Sequence, residues 1–99
     1  MAGVSTDGRS LVWGFHGAPS VPGPCGADYN GVVAESPSAV AVALQEIPHA
    51  SPGDLVACPA IAQERTVTVR LASPLGGRVV VDASGFAVAV CPVVLQRAC

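Results

Sequence analysis

Nine prolines and eleven glycines cut the 99 residues into pieces too short for a long helix. Inside those pieces the apolar residues alternate instead of recurring every three or four positions, which leaves strands and turns. In Ser38 to Ile47 (SAVAVALQEI), Val40, Val42 and Leu44 fall on one face of an extended chain and Ala39, Ala41 and Ala43 on the other. Alanine's helix propensity offers a helix as the alternative, but the period of two favours a strand. Glu64 to Ala72 (ERTVTVRLA) is the clearest case, with Val67, Val69 and Leu71 on a core face and Glu64, Thr66, Thr68 and Arg70 on a solvent face.

Further strands are predicted at Ser10 to His16, where Leu11, Trp13 and Phe15 share a face, and at Tyr29 to Glu35. Asp54 to Cys58 reads as a short strand or extended segment. In Arg78 to Ala83, Val79 and Val81 alternate with Arg78, Val80 and Asp82. Ser84 and Gly85 form a two-residue hairpin connection, after which Phe86, Val88 and Val90 take the core face. Residues 64–91 thus read as a three-strand antiparallel meander. Six to seven short strands joined by turn residues predict an all-β chain, a single small β-sandwich, immunoglobulin-like or related. One domain fills residues 1–99, with 1–9 and 92–99 as flexible or irregular tails.

Composition removes several functions. Charged residues make up 12% of the chain, and the formal charge is −2, so the basic footprint of a nucleic-acid binder is missing. Every base is an arginine; without lysine there is no Schiff-base chemistry and no P-loop lysine. Mean hydropathy is high at +0.53, yet no stretch of ~20 unbroken apolar residues exists to form a transmembrane helix. Residues 1–10 have no signal-peptide character, so either the protein stays in the cytoplasm or in a virion, or an export signal has been removed.

Cys25, Cys58, Cys91 and Cys99 are an even number without metal-ligand spacing, which fits a disulfide framework and an extracellular or cell-envelope location. Buried free thiols in a cytosolic or phage protein are the alternative. If Val90 faces the core then Cys91 faces away, which argues for Cys25 with Cys58. Closing that loop is worth about 4 kcal/mol in the chain-entropy model. Cys91 with Cys99 would close a short tail loop, or Cys99 could stay free and bridge two chains.

The segment from Cys25 to Val81 resembles a small β-domain of unknown function found in secreted or membrane-anchored actinobacterial proteins. The residues that carry the resemblance are Cys25, Tyr29, Glu35, Ser36, Cys58 and Leu71, with the PLGGR stretch Pro74 to Arg78 as its most specific piece. It implies export and the Cys25–Cys58 pairing, and brings no activity, cofactor or catalytic residue.

Candidate chemistry is sparse. His16 and His49 lack any nucleophile or metal signature, alone or with Asp54. Glu35, Glu46, Glu64 and Asp82 could supply a carboxylate pair, with Glu64 and Asp82 on neighbouring strands, but partnership with Arg65, Arg70 or Arg78 explains them better. Arg78 after its turn could bind an anion; bracing the turn through loop carbonyls is favoured. Trp13, Tyr29 and Arg78 are the possible interaction surface, although aromatics in adjacent strands are more often core. The loop His49 to Pro59, anchored at Cys58, could protrude as in a protease inhibitor.

These features point to a non-enzymatic, exported binding or scaffolding module without cofactor or metal, whose partner is a protein or another copy of itself. The alternatives are a structural subunit of a phage or cell-envelope assembly, packing through the Ala-rich faces of 38–44 and 86–91, and a protease-inhibitor-like module using the 49–59 loop.

Overall fold

Alternation of the kind seen in SAVAVAL can bury only one side of each strand, and the chain resolves this by stacking two sheets. The computed structural model describes residues 3–51, 53–54, 57–59 and 61–92, and no helix occurs among them. The strands are β1 (Gly3–Thr6), β2 (Ser10–Gly17), β3 (Ala27–Glu35), β4 (Ala39–Pro48), β5 (Gln63–Arg70), β6 (Val79–Val81), β7 (Ala87–Val88) and β8 (Val90–Pro92). Sheet one has the order β5-β2-β1-β8 and sheet two the order β3-β4-β6-β7, packed as a small β-sandwich.

The core is valine and leucine from the inward positions of both sheets. Leu11 and Trp13 on β2 sit opposite Val69 and Val67 on β5, and with Val4 they meet Val40, Val42 and Val80 of sheet two. Gly31 lets the sheets approach closely: a Cβ there would overlap Val69 Cγ1 and lie 2.9 Å from Val67 Cγ1. Leu71 and Leu75 close the core at one end of the sandwich.

Several expectations change. Residues 64–91 are not a meander. β5 pairs with β2 in sheet one, whereas β6 pairs parallel with β4 in sheet two. The chain then returns to sheet one, where β8 lies parallel to β1. The stretch after Leu71 is therefore a crossover between sheets and not a hairpin turn. Each sheet contains a parallel pair, unlike the purely antiparallel sheets of an immunoglobulin constant domain. Eight strands lie among the described residues, because Gly3–Thr6, expected in an irregular tail, is an internal strand whose Val4 is fully buried.

The last hairpin has three loop residues, not two. Asp82 and Phe86 bond across it, Gly85 takes φ +86°, and the Asp82 carboxylate accepts the Ser84 and Phe86 amides. The longer loop pairs Val80 with Val88, so Val80 faces inward while Val79 faces solvent. Val88 keeps its expected core side, whereas Phe86, at the hairpin's end, is 71% exposed instead of core. Asp54, Ala57 and Cys58 belong to no strand. Residues 55 and 56 of that expected strand, and the tail 93–99, lie outside the described residues.

Candidate functional site

The polar side chains picked out from the sequence gather at the two ends of the sandwich. At one end the β3–β4 turn, the β1–β2 turn and the crossover 71–78 meet. Arg78 joins them: Nε donates to the Leu75 carbonyl at 3.1 Å, and one terminal nitrogen donates to Glu35 Oε1 at 3.1 Å and the Ser36 carbonyl at 3.3 Å. The other donates to the Ser73 and Pro74 carbonyls at 3.0 and 2.9 Å. The second oxygen of Glu35 accepts the Ala72 amide at 2.8 Å. That amide bond, with the Arg78 guanidinium behind it, holds the Glu35 carboxyl below its ordinary pKa. A shallow cleft of about 540 Å³ opens here between Glu35, Pro37 and the crossover. Its one cation already has a partner for every donor, so the guanidinium braces backbone, as favoured from the sequence, and offers nothing to an anion.

The other end carries a second clasp. Cys25 and Cys58 form a disulfide, with Cα atoms 5.5 Å apart. Arg65, an inward position of β5, donates to the carbonyls of Ala18 at 2.6 Å and Ala27 at 2.9 Å, tying sheet one to the loop and to β3. It also lies over the Tyr29 ring, 5.0 Å from the centroid, and Phe15 meets that ring edge-on. The Tyr29 hydroxyl accepts the Ala18 amide and donates to Glu46 at 2.7 Å. His49 bridges the Val21 carbonyl (2.8 Å from Nδ1) and Asp28 (3.2 Å from Nε2). Both contacts favour the doubly protonated ring, the carbonyl most, and raise its pKa.

The possible interaction surface does not assemble. Trp13 is core, 4% exposed, because β2 is internal to its sheet. Tyr29 and Arg78 are half-buried in clasps at opposite ends of β3, whose span from Tyr29 to Glu35, the partner of Arg78, is roughly 20 Å at 3.3 Å per residue. Glu64 and Asp82, expected on neighbouring strands, belong to different sheets: Glu64 lies on β5, and Asp82 follows β6 and caps its own hairpin. His16 is exposed on β2. Among the described residues no cluster of three or more His, Cys, Asp or Glu could hold a metal, and no helix is long and apolar enough to cross a membrane. In the 49–59 loop, Asp54 and Ser51 bond reciprocally and Cys58 anchors the far side; residues 52, 55 and 56 lie outside the described residues. None of the described cysteines is a free thiol; the Cys91–Cys99 pairing reaches outside the described residues.

A third region is apolar. On the outer face of sheet two, β3 presents Val32 and Ala34, β4 presents Ala39, Ala41 and Ala43, β6 presents Val79 and Val81, and β7 presents Ala87. Val32 is 56% and Val79 45% exposed. The outer face of sheet one is more polar, with Glu64, Thr66, Thr68 and Arg70 on β5 beside Ser10, Val12, Gly14 and His16 on β2, and with Ser5 of β1 buried. The Val-and-Ala alternation of 38–44 was the signal for this face. The signal for Arg65 was its place on the core side of an alternating strand.

No family model, curated protein or solved structure matches the chain. The actinobacterial resemblance therefore rests on its residues alone.

Proposed function

We propose that the chain is a non-enzymatic β-sandwich module that works in an oxidising compartment, outside the cell or in its envelope, and acts by binding or scaffolding through the outer face of sheet two. The observation that carries this reading is the contrast between the two outer faces. A sheet face left to water normally alternates to polar residues, as β5 of sheet one does; a contiguous apolar face is typical of contact surfaces. The Cys25–Cys58 disulfide supports the compartment, because such bonds persist where thiols are not kept reduced. The non-enzymatic reading is supported by the engagement of Arg78, Arg65, Glu35, Tyr29 and Asp82 with backbone and neighbouring side chains, which leaves no nucleophile, base and stabiliser converging on one point among the described residues. A structural subunit of a larger assembly is the second reading, favoured by the small side chains of the same face.

A photoreactive amino acid placed at Val79, and separately at Thr68, tests the reading in cells that make the protein. Crosslinks to any protein, including another copy, are expected from position 79 and not from 68. Equal crosslinking from both positions, or none from 79, would overturn it.

A further inference from the structure

We infer that the outer face of sheet two is the seat of a second copy of this chain, packed face to face about a two-fold axis. The inference rests on the reading above and names the partner. A two-fold interface places the same patch on both sides, so the patch has to complement itself. Charge decides this first. Along β3 and β4 the outer positions run from Ala34 and Ala39 through Ala41, Val32 and Ala43 to Asn30 and Gln45, and β6 and β7 add only Val79, Val81 and Ala87. The one charge among these described outer positions is Asp28 near the far end of β3, and His49 engages it at 3.2 Å. A patch like this has no charge to repel its own image and none to select an oppositely charged partner. The formal charge of −2 per chain adds little long-range repulsion.

Shape is the second argument. Alanines at Ala34, Ala39, Ala41 and Ala43 keep the middle of the face low, while Val32 and Val79 stand on either side of the alanine row of β4. Two such faces related by a two-fold axis seat the valines of one copy against the alanines of the other, as the inner faces of two sheets interdigitate. Extent is the third. With strands ~4.8 Å apart and ~3.3 Å per residue, the face offers on the order of 500 Å² per copy. Two copies would bury roughly 1,000 Å², the lower limit for a specific protein interface and the range of weak, concentration-dependent association. Among the described residues nothing of the chain's own covers Val32 or Val79.

The test is the mass of the purified protein by sedimentation equilibrium from about 1 μM to about 1 mM, a span that covers weak association. The mass is expected to rise with concentration from the 9.8 kDa of one chain toward twice that value. Val79→Asp and, separately, Val32→Asp should weaken association roughly tenfold or more, since each buries an unpaired charge in the interface. Thr68→Asp, on the polar face of sheet one, should leave it unchanged. Both valines are more than two-fifths exposed in the single chain, and near-ultraviolet circular dichroism from Trp13 checks that the variants remain folded. A mass that stays at one chain throughout, or a dimer equally weakened by Thr68→Asp, overturns the inference. So does a monomer that crosslinks from position 79 to a different protein, an outcome that leaves the binding reading standing.

Discussion

Arg78 uses all of its guanidinium donors on one carboxylate and four carbonyls, and only an arginine has the planar fork to do so. Arg78→Lys keeps the charge but can reach only part of this set, which leaves carbonyls of the crossover without partners. Because its side chain is 12% exposed, the loss should be felt, at roughly 1 to 3 kcal/mol of folding stability by urea denaturation. Glu35→Ala removes a partner of the same network, and the double variant should destabilise by less than the sum of the two. Full additivity would mean the pair acts independently. At Gly31 the constraint is space: Gly31→Val drives a side chain into Val67 and Val69, and a loss of about 1 to 3 kcal/mol is expected. Gly76, at φ +58° with open space within 4 Å of where a Cβ would sit, makes a useful contrast, since there only the backbone conformation resists a side chain.

The disulfide and the final hairpin are the features that act at the level of elements. Cys25–Cys58 fastens the loop between β2 and β3 to the segment between β4 and β5. Replacing both cysteines with serine should lower the unfolding free energy by about 2 to 4 kcal/mol and leave sheet signals in the circular dichroism spectrum intact. Asp82→Ala frees the Ser84 and Phe86 amides and should cost about 1 kcal/mol, read by the same denaturation. The strands themselves were legible: Glu64 to Ala72 and Ser10 to His16 appear nearly as the alternation predicts, with their faces, because alternation reports directly which side chains are buried. What alternation does not report is the neighbour. Pro74-Leu75-Gly76-Gly77 has the composition of a hairpin turn, but Leu75 is buried and its amide bonds to Gly8 of the β1–β2 turn, which carries the chain across to sheet two. β1 was missed for a different reason. The Asp7-Gly8 pair is a hairpin signal, with Gly8 at φ +95° and the Asp7 carboxylate accepting the Arg9 and Ser10 amides, but its first strand is short and begins at the chain's third residue.

The two clasps stand at opposite ends of the sandwich and respond to pH with opposite sign, so the stability of the whole molecule should pass through a maximum. The Glu35 carboxyl is lowered by the Ala72 amide first, with Arg78 adding to it, and Asp7 is lowered by the Arg9 and Ser10 amides. A group with a depressed folded pKa contributes its stability above its unfolded value, near 4, and loses it as pH falls through the folded value. His49 is raised by the Val21 carbonyl first and Asp28 second, against desolvation and, less, the charge of Arg65. Its contribution is complete below its ordinary value of 6.5 and disappears as pH rises through the higher folded value. Urea midpoints measured across the range should therefore be highest between about pH 5 and pH 6 and fall on both sides. His49→Gln should flatten the alkaline limb while leaving the acid limb in place, and Glu35→Gln should lower the midpoint near neutrality and reduce the acid slope. An alkaline limb that survives in His49→Gln would mean that the loop beside the disulfide is held by something other than the imidazolium bridge.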